Sequence, residues 1–421
     1  MKNYIVSTFI LSLTILSTVY GQEDSLAYKK KVLESAEVDF LMSLYTQDGN
    51  NAAVTGGVGS EKLLNGTPTI VVAVPLTADD VLTVDAGISA YSSASSSNIN
   101  PFDGKGSPNV YQASSGASKS DVLSSVKVGF SHSSDNRNRI LGVNASFSSE
   151  FDYFSFGVGA SYSMLFNEKN TELSFKANAF FDKWSRIYPV ELRDNPSFIP
   201  LSNDNRNSYS AGVVLTQVLG ENLQGALAAD VVYQEGLLST PFQRVYFSDI
   251  PDVFLQGFHL AEDIERLPGS RVKVAVGGRL HYYVNQYLVF RSFYRYYSDD
   301  WGIQSSTATV ELPVKLTDKF TLYPYYRFYN QSATEYFAPY NQHVSSAQFY
   351  TSDYDLSNFV ANQYGMGFSY TDIFAKHTFL ALGLKSIDFK YSYYQRSSGL
   401  QAHIITFGVK FIVDPYWRPW K

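Results

Sequence analysis

The 421-residue chain contains no cysteine. That one absence removes disulfides, thiol catalysis, thiolate metal sites, thioether-linked haem and a lipidated cysteine together. Charge is sparse as well: Asp, Glu, Lys and Arg make up 17%, and the net charge of −6 argues against nucleic acid as a partner. Beyond residues 5–18, no segment approaches the roughly 18 consecutive apolar residues of a membrane helix, so any membrane crossing falls to strands. The 6 histidines are scattered and no nucleophile motif accompanies them. These absences leave no cofactor and no resident metal to expect.

Aromatic residues are abundant, with Tyr at 32 positions and Phe at 30. They occur in a repeating alternation, as in Val272-Lys273-Val274-Ala275-Val276-Gly277-Gly278-Arg279-Leu280-His281-Tyr282. Period two means strand, and arginine on the alternate face means water there. Residues 1–21 read as a secretory signal, with Lys2 ahead of the apolar stretch and Val19-Tyr20-Gly21 as the small-residue cleavage pattern. The remainder, residues 22–421, reads as one all-β domain: an antiparallel transmembrane barrel in the outer membrane of a Gram-negative bacterium, with lipid as its surroundings.

Turn signals divide the chain into about sixteen strands, each near the roughly 9 to 11 residues that cross a bilayer obliquely. The expected spans are 37–47, 67–76, 81–92, 122–131, 140–149, 153–163, 172–182, 209–219, 223–234, 271–284, 287–299, 303–316, 320–331, 361–371, 386–396 and 400–413. The turns at 77–80, 220–222, 285–286 and 317–319 are short and fall at one end. Long connections, including a Ser/Asn/Gly/Pro stretch at 93–121, fall at the other. Short periplasmic turns opposite long extracellular loops are the pattern of an outer-membrane barrel.

The alternation also assigns faces. Val272, Val274, Val276, Leu280, Tyr282, Phe290, Tyr294 and Tyr296 are expected toward lipid. Arg271, Lys273, Arg279, Arg291, Arg295 and Arg327 are expected on the lumen wall, beside His281, Glu311 and Lys315. A charge on the lipid face near the midplane costs about 2 to 4 kcal/mol, which decides the direction. Ser155, Gly157, Gly159, Ser161, Asn144, Ser146 and Ser148 line an opposite, weakly polar wall. The arginines could select anions, or Glu311 and neighbouring acids could neutralise them as structural pairs. A long loop at 235–269, interrupted by Pro241, Pro251 and Pro268, either folds inward to constrict the pore through Glu235, Arg244, Glu265 and Arg266, or caps the rim on Phe242, Tyr246 and Phe247.

Other chemistry is weaker. Asp48-Gly49-Asn50-Asn51, Asp299-Asp300 and Asp353-Tyr354-Asp355 offer oxygen ligands near strand ends, yet turn chemistry explains them equally and the calcium-loop spacing of about twelve residues is absent. A hydrolase would have to use His132 with Ser134, or His281. The closing Pro415-Tyr416-Trp417-Arg418-Pro419-Trp420-Lys421 could dock on a partner or anchor at the interface.

The segments Gln47-Asp48-Gly49-Asn50-Asn51, Phe181-Asp182-Lys183-Trp184, Ile264-Glu265-Arg266-Leu267-Pro268 and Ser298-Asp299-Asp300-Trp301-Gly302, with residues 234–247 and 349–356, resemble an uncharacterised bacterial family of exported outer-membrane barrels. The resemblance implies a gene neighbourhood holding a flavin transferase, a small lipoprotein and a thioredoxin-like protein, and hence a redox partner. The function expected from the residues is a porin-like conduit with a partly basic lumen. The alternatives are a scaffold or sheath for a small lipoprotein or periplasmic redox protein, and an outer-membrane hydrolase.

Overall fold

The computed structural model describes residues 30–93, 120–255, 257–372, 377–379 and 382–413. The expected signal at 1–21, most of the 93–121 connection and the aromatic tail at 415–421 lie outside them. No helix among the described residues is long and apolar enough to cross a membrane.

Sixteen strands form one closed antiparallel barrel. They are β1 (Glu37–Asp48), β2 (Leu63–Pro75), β3 (Asp80–Ser93), β4 (Ser120–Ser133), β5 (Arg139–Ser149), β6 (Tyr153–Phe166), β7 (Thr171–Trp184), β8 (Asn205–Gly220), β9 (Leu223–Gly236), β10 (Ser270–Tyr283), β11 (Val289–Asp299), β12 (Gln304–Glu311), β13 (Phe320–Gln331), β14 (Phe359–Thr371), β15 (Leu382–Arg396) and β16 (Gln401–Val413). Each pairs with its chain neighbours, and β1 closes the ring on β16, from Glu37 opposite Ile412 to Asp48 opposite Gln401. Closure matters because no backbone edge is left facing lipid.

The expected span 303–316 is interrupted. Regular pairing stops at Glu311 and only Val314–Lys315 rejoins β13, because Pro313 has no N–H to give the ladder. β8 starts at Asn205, earlier than the alternation indicates, since Asn205, Arg206, Asn207 and Ser208 are polar on both faces.

Register confirms the faces of the wall. Outward side chains such as Val276 (52% exposed) and Leu280 (47%) are bare, whereas inward Ala275 is 4% exposed. Arg291 lies opposite His281 on one side and Glu311 on the other, so these groups share the inward face. Outward charge is confined to strand ends, as at Arg139 and Glu235.

Four long loops at one rim pack into a cap: L1 (49–62), L2 (185–204), L3 (237–269) and L4 (332–358). Within it Arg244–Val245 pairs with Asp263–Ile264 and Phe254–Leu255 with Phe258–His259. Its apolar centres are Leu192, Tyr246, Ala261 and Ile264; Ala52, Val54 and Phe242; and Val245, Phe247 and Tyr350. Each joins side chains from different loops. The arrangement crosses the mouth, and the contact that proves it links L3 to L1. L1 leaves the ring between β1 and β2, L3 between β9 and β10, so their roots are eight strands apart on a ring of sixteen. Arg244 of L3 nonetheless donates to the Val54 carbonyl of L1 at 3.2 Å.

L3 departs from the wall at Gly236, whose φ is +102°. A Cβ there would come within 2.1 Å of the Asn205 carbonyl oxygen, so glycine is required twice over. Gly236→Ala should destabilise this exit by more than about 1 kcal/mol. Hydrogen exchange at the Leu237 amide, which donates to Asn205 at 2.8 Å, should accelerate; unchanged protection would remove the argument.

Candidate functional site

The lumen wall is asymmetric in charge. On β10 and β11, Arg271 is held by Asp299 at 2.5 Å and its guanidinium lies 4.3 Å from the Trp301 ring. Arg291 meets Glu311 at 2.9 Å. The other basic groups along β10 to β15 differ: Lys273, Arg279, Arg295, Arg327 and Lys390 have no carboxylate at ion-pair distance among the described residues. Arg279 lies 5.6 Å from the Phe293 ring, and Arg327 donates through Nε to the Thr309 hydroxyl at 3.2 Å. On the neighbouring strands β7 to β9 two cations are paired, Lys176 with Asp230 at 2.9 Å and Arg206 with Asp182 at 2.8 Å, whereas Lys127 and Asp85, opposite each other on β4 and β3, form no ion pair among the described residues. The expected structural pairing therefore holds for Arg271 and Arg291, and the cations between and beyond them form no ion pair among the described residues.

The residues expected in the constriction separate into three situations. Glu235 is not in the loop. It stands on the outward face of β9, accepting from Asn207 at 3.3 Å and from the Tyr233 hydroxyl at 3.2 Å. The alternation runs one turn further than the sequence indicates, and a rim carboxylate can face outward because the interfacial zone is wet.

Arg244 and Glu265 are inside the cap and line no open passage. The Arg244 guanidinium is fully buried and clasps Glu191 of L2 through Nε at 2.6 Å and Nη2 at 3.2 Å. With the Val54 bond it ties three loops together. Glu265 is 1% exposed. Its Oε1 accepts from the Thr240 amide at 2.7 Å and its Oε2 from the Thr351 hydroxyl at 2.5 Å. No cation faces it, so burial pushes its carboxyl up to about 7, with Asp353 acting in the same direction. Arg266 is partly exposed and joins L3 to L2 and L4 through Asp263 at 2.8 Å, the Ile199 carbonyl at 2.6 Å and the Tyr350 hydroxyl at 3.1 Å. Phe242, Tyr246 and Phe247 are all buried in the loop-to-loop centres.

The remaining candidates resolve into local structure. His132 faces outward at the short-turn rim, its Nδ1 2.7 Å from Asp80, while Ser134 bonds Asn136 and the Arg139 amide. His281 faces the lumen beside Arg291, whereas the nearby Ser292, opposite Leu280, is on the outward face. Asp299 caps its turn by accepting from the Trp301 and Ile303 amides, and Asp353 accepts from the Asp355 amide. No group of three or more such side chains converges as a metal site among the described residues. Sequence reasoning missed Glu191 and Lys390. Glu191 sits in an aperiodic loop 53 residues from its partner. Lys390, by contrast, was legible from the alternation of Asp388, Lys390 and Ser392.

Among solved structures the barrel is similar to a bacterial polysaccharide outer membrane secretin (TM-score 0.48, 10% identity, covering 91% of this chain and 99% of that one). It is also similar to the outer membrane protein OpdK from Pseudomonas aeruginosa (TM-score 0.38, 9% identity, 90% and 98%). A BenF-like porin from Pseudomonas fluorescens Pf-5 is a third (TM-score 0.40, 10% identity, 90% and 100%). Identities this low carry no information about a solute. No curated protein matches the sequence significantly. Residues 7–409 match the family of proteins of unknown function DUF3570, and the chain belongs to that family.

Proposed function

We propose that this family member is an outer-membrane conduit for small anions, closed at rest by its own loops. The observation that carries the reading is the basic wall: five cationic side chains along β10 to β15 with no carboxylate at ion-pair distance among the described residues, concentrated on one side of the lumen. A low-dielectric barrel focuses such a field into the lumen and raises the local concentration of anions there. The barrel performs no bond chemistry in this mechanism. Selection is electrostatic, and admission depends on the cap leaving the mouth.

Reversal potentials in planar bilayers test it. The refolded protein should prefer chloride over potassium, and Arg279→Gln with Arg295→Gln should lower the permeability ratio about 2- to 5-fold per charge, the effect of one charge at 4 to 8 Å in water. An unchanged ratio would reject the wall as the filter. A cap that spans the mouth also favours a second reading, a scaffold for a small lipoprotein or periplasmic redox protein. Silence from a folded barrel that co-purifies with such a partner would move that reading to first place.

A further inference from the structure

The lumen wall uses an unusual device beside its bare cations. Gly365 and Gly367 on β14 lie opposite Tyr325 and Tyr323 on β13. A Cβ at Gly367 would fall 1.8 Å from Tyr323 Cε2, and one at Gly365 would fall 2.0 Å from Tyr325 Cε1. The two rings thus occupy the space directly above the glycine backbone, lying along the wall instead of pointing at the axis. Glycine is what permits this, since any side chain would lift them off. The result is a shelf in which Tyr325 is only 8% exposed and Tyr323 is the half-buried ring left toward the lumen. At its far side, one strand beyond the glycines, Lys390 lies opposite Gly367 and reaches back to place its Nζ 3.8 Å from the Tyr325 centroid. Arg327 follows Tyr325 on the same face of β13.

Phe180 on the other wall lies over Gly157 in the same manner. The lysine on its strand, Lys176, is neutralised by Asp230. At Tyr323 and Tyr325, by contrast, rings lying over glycine stand beside two cations, Lys390 and Arg327, that form no ion pair among the described residues. We infer that Tyr323, Lys390 and Arg327 form a binding subsite for small anions that carry a planar ring, the ring stacking on Tyr323 and the anionic group meeting Lys390, which Tyr325 positions from below, and Arg327. Offset stacking supplies discrimination that charge alone cannot, because a ringless anion of equal charge gains nothing from the shelf. The inference rests on the conduit reading for its purpose, though not for its geometry.

Benzenesulfonate and methanesulfonate are suitable probes, since both stay ionised across the usable pH range and differ in the ring. Their equilibrium binding to the folded barrel in detergent, measured by calorimetry, is read beside reversal potentials in bilayers. Benzenesulfonate should bind more tightly, Tyr323→Leu should weaken it roughly 3- to 10-fold without affecting methanesulfonate, and Lys390→Gln should weaken both. Chloride preference should survive Tyr323→Leu. Equal binding of the two sulfonates overturns the subsite even if the channel is anion-selective. Ring-dependent binding in a barrel that conducts nothing even when the cap is opened by Arg244→Ala supports the subsite and rejects the conduit.

Discussion

Arg244→Ala should dismantle the cap while the barrel stays folded. The substitution leaves Glu191, its bidentate partner at 2.6 Å and 3.2 Å, as a buried charge without compensation, and removes the bond to Val54 that spans the mouth. Breaking one side of a buried pair costs about 3 to 5 kcal/mol, most of it the penalty of the orphaned charge. The barrel ladder contains neither residue, so heat-modifiable migration on gels should be retained. Limited proteolysis should cut L2 and L3 within minutes where the parent resists, and bilayer conductance should rise. Replacing both partners by apolar residues, Arg244→Met with Glu191→Leu, should recover much of the protection because no charge is then stranded. Equal protease resistance in Arg244→Ala and parent would mean that the apolar centres alone hold the loops.

The cap should also loosen as pH rises, and Glu265→Gln should remove one of the three buried carboxyls that produce that response, reducing it by about a third. Burial is the main reason that the Glu265 carboxyl is pushed from an ordinary 4.5 up to about 7; Asp353 adds to it, while Thr351 and Thr240 oppose it by hydrogen bonding. A carboxyl whose pKa is higher in the folded state favours the folded state when protonated. Its contribution is therefore complete below about 4.5, declines as pH rises toward about 7, and stays lost above that. At roughly 1.4 kcal/mol per pKa unit the difference is about 3 kcal/mol. The neighbouring groups act in the same direction. Asp353 is raised by burial and by the neighbouring Asp355 carboxylate, against the Gln243 hydrogen bond and Arg396, which lower it, and Glu262 is raised to about 7 by burial. His259, 3.5 Å from Glu262, is lowered by burial and opposes only weakly. Protease sensitivity of L3 should thus increase between pH 5 and pH 8 in the parent and increase less steeply in Glu265→Gln. A parent insensitive to pH across that interval would reject Glu265 as a titrating group.

Legibility followed periodicity. The sequence indicates about sixteen strands and the fold contains them, because two-residue alternation is a local property that survives without knowledge of any partner. Lumen positions of Arg271, Lys273, Arg279, Arg291, Arg295 and Arg327 follow from the same alternation. Errors cluster where it lapses: at Pro313, where a missing donor ends a strand early; at polar Asn205 to Ser208, where neither face is marked; and at Glu235, taken into the loop although β9 continues through Gly236. The cap was legible only as length and as three prolines.

What the sequence by itself determined is the wall: strand number, the choice of lipid or lumen for each side chain, and the concentration of arginine on neighbouring strands. Each depends on the neighbour two residues away. Only the tertiary structure decided which arginines are neutralised, that the loops meet across the mouth through Arg244, Glu191 and Val54, and that two tyrosines lie flat over glycines of the next strand. Those outcomes depend on closing a ring that brings residues far apart in the chain to one place, and on the burial that follows, which turns Glu265 from an ordinary carboxylate into one that holds its proton to about 7.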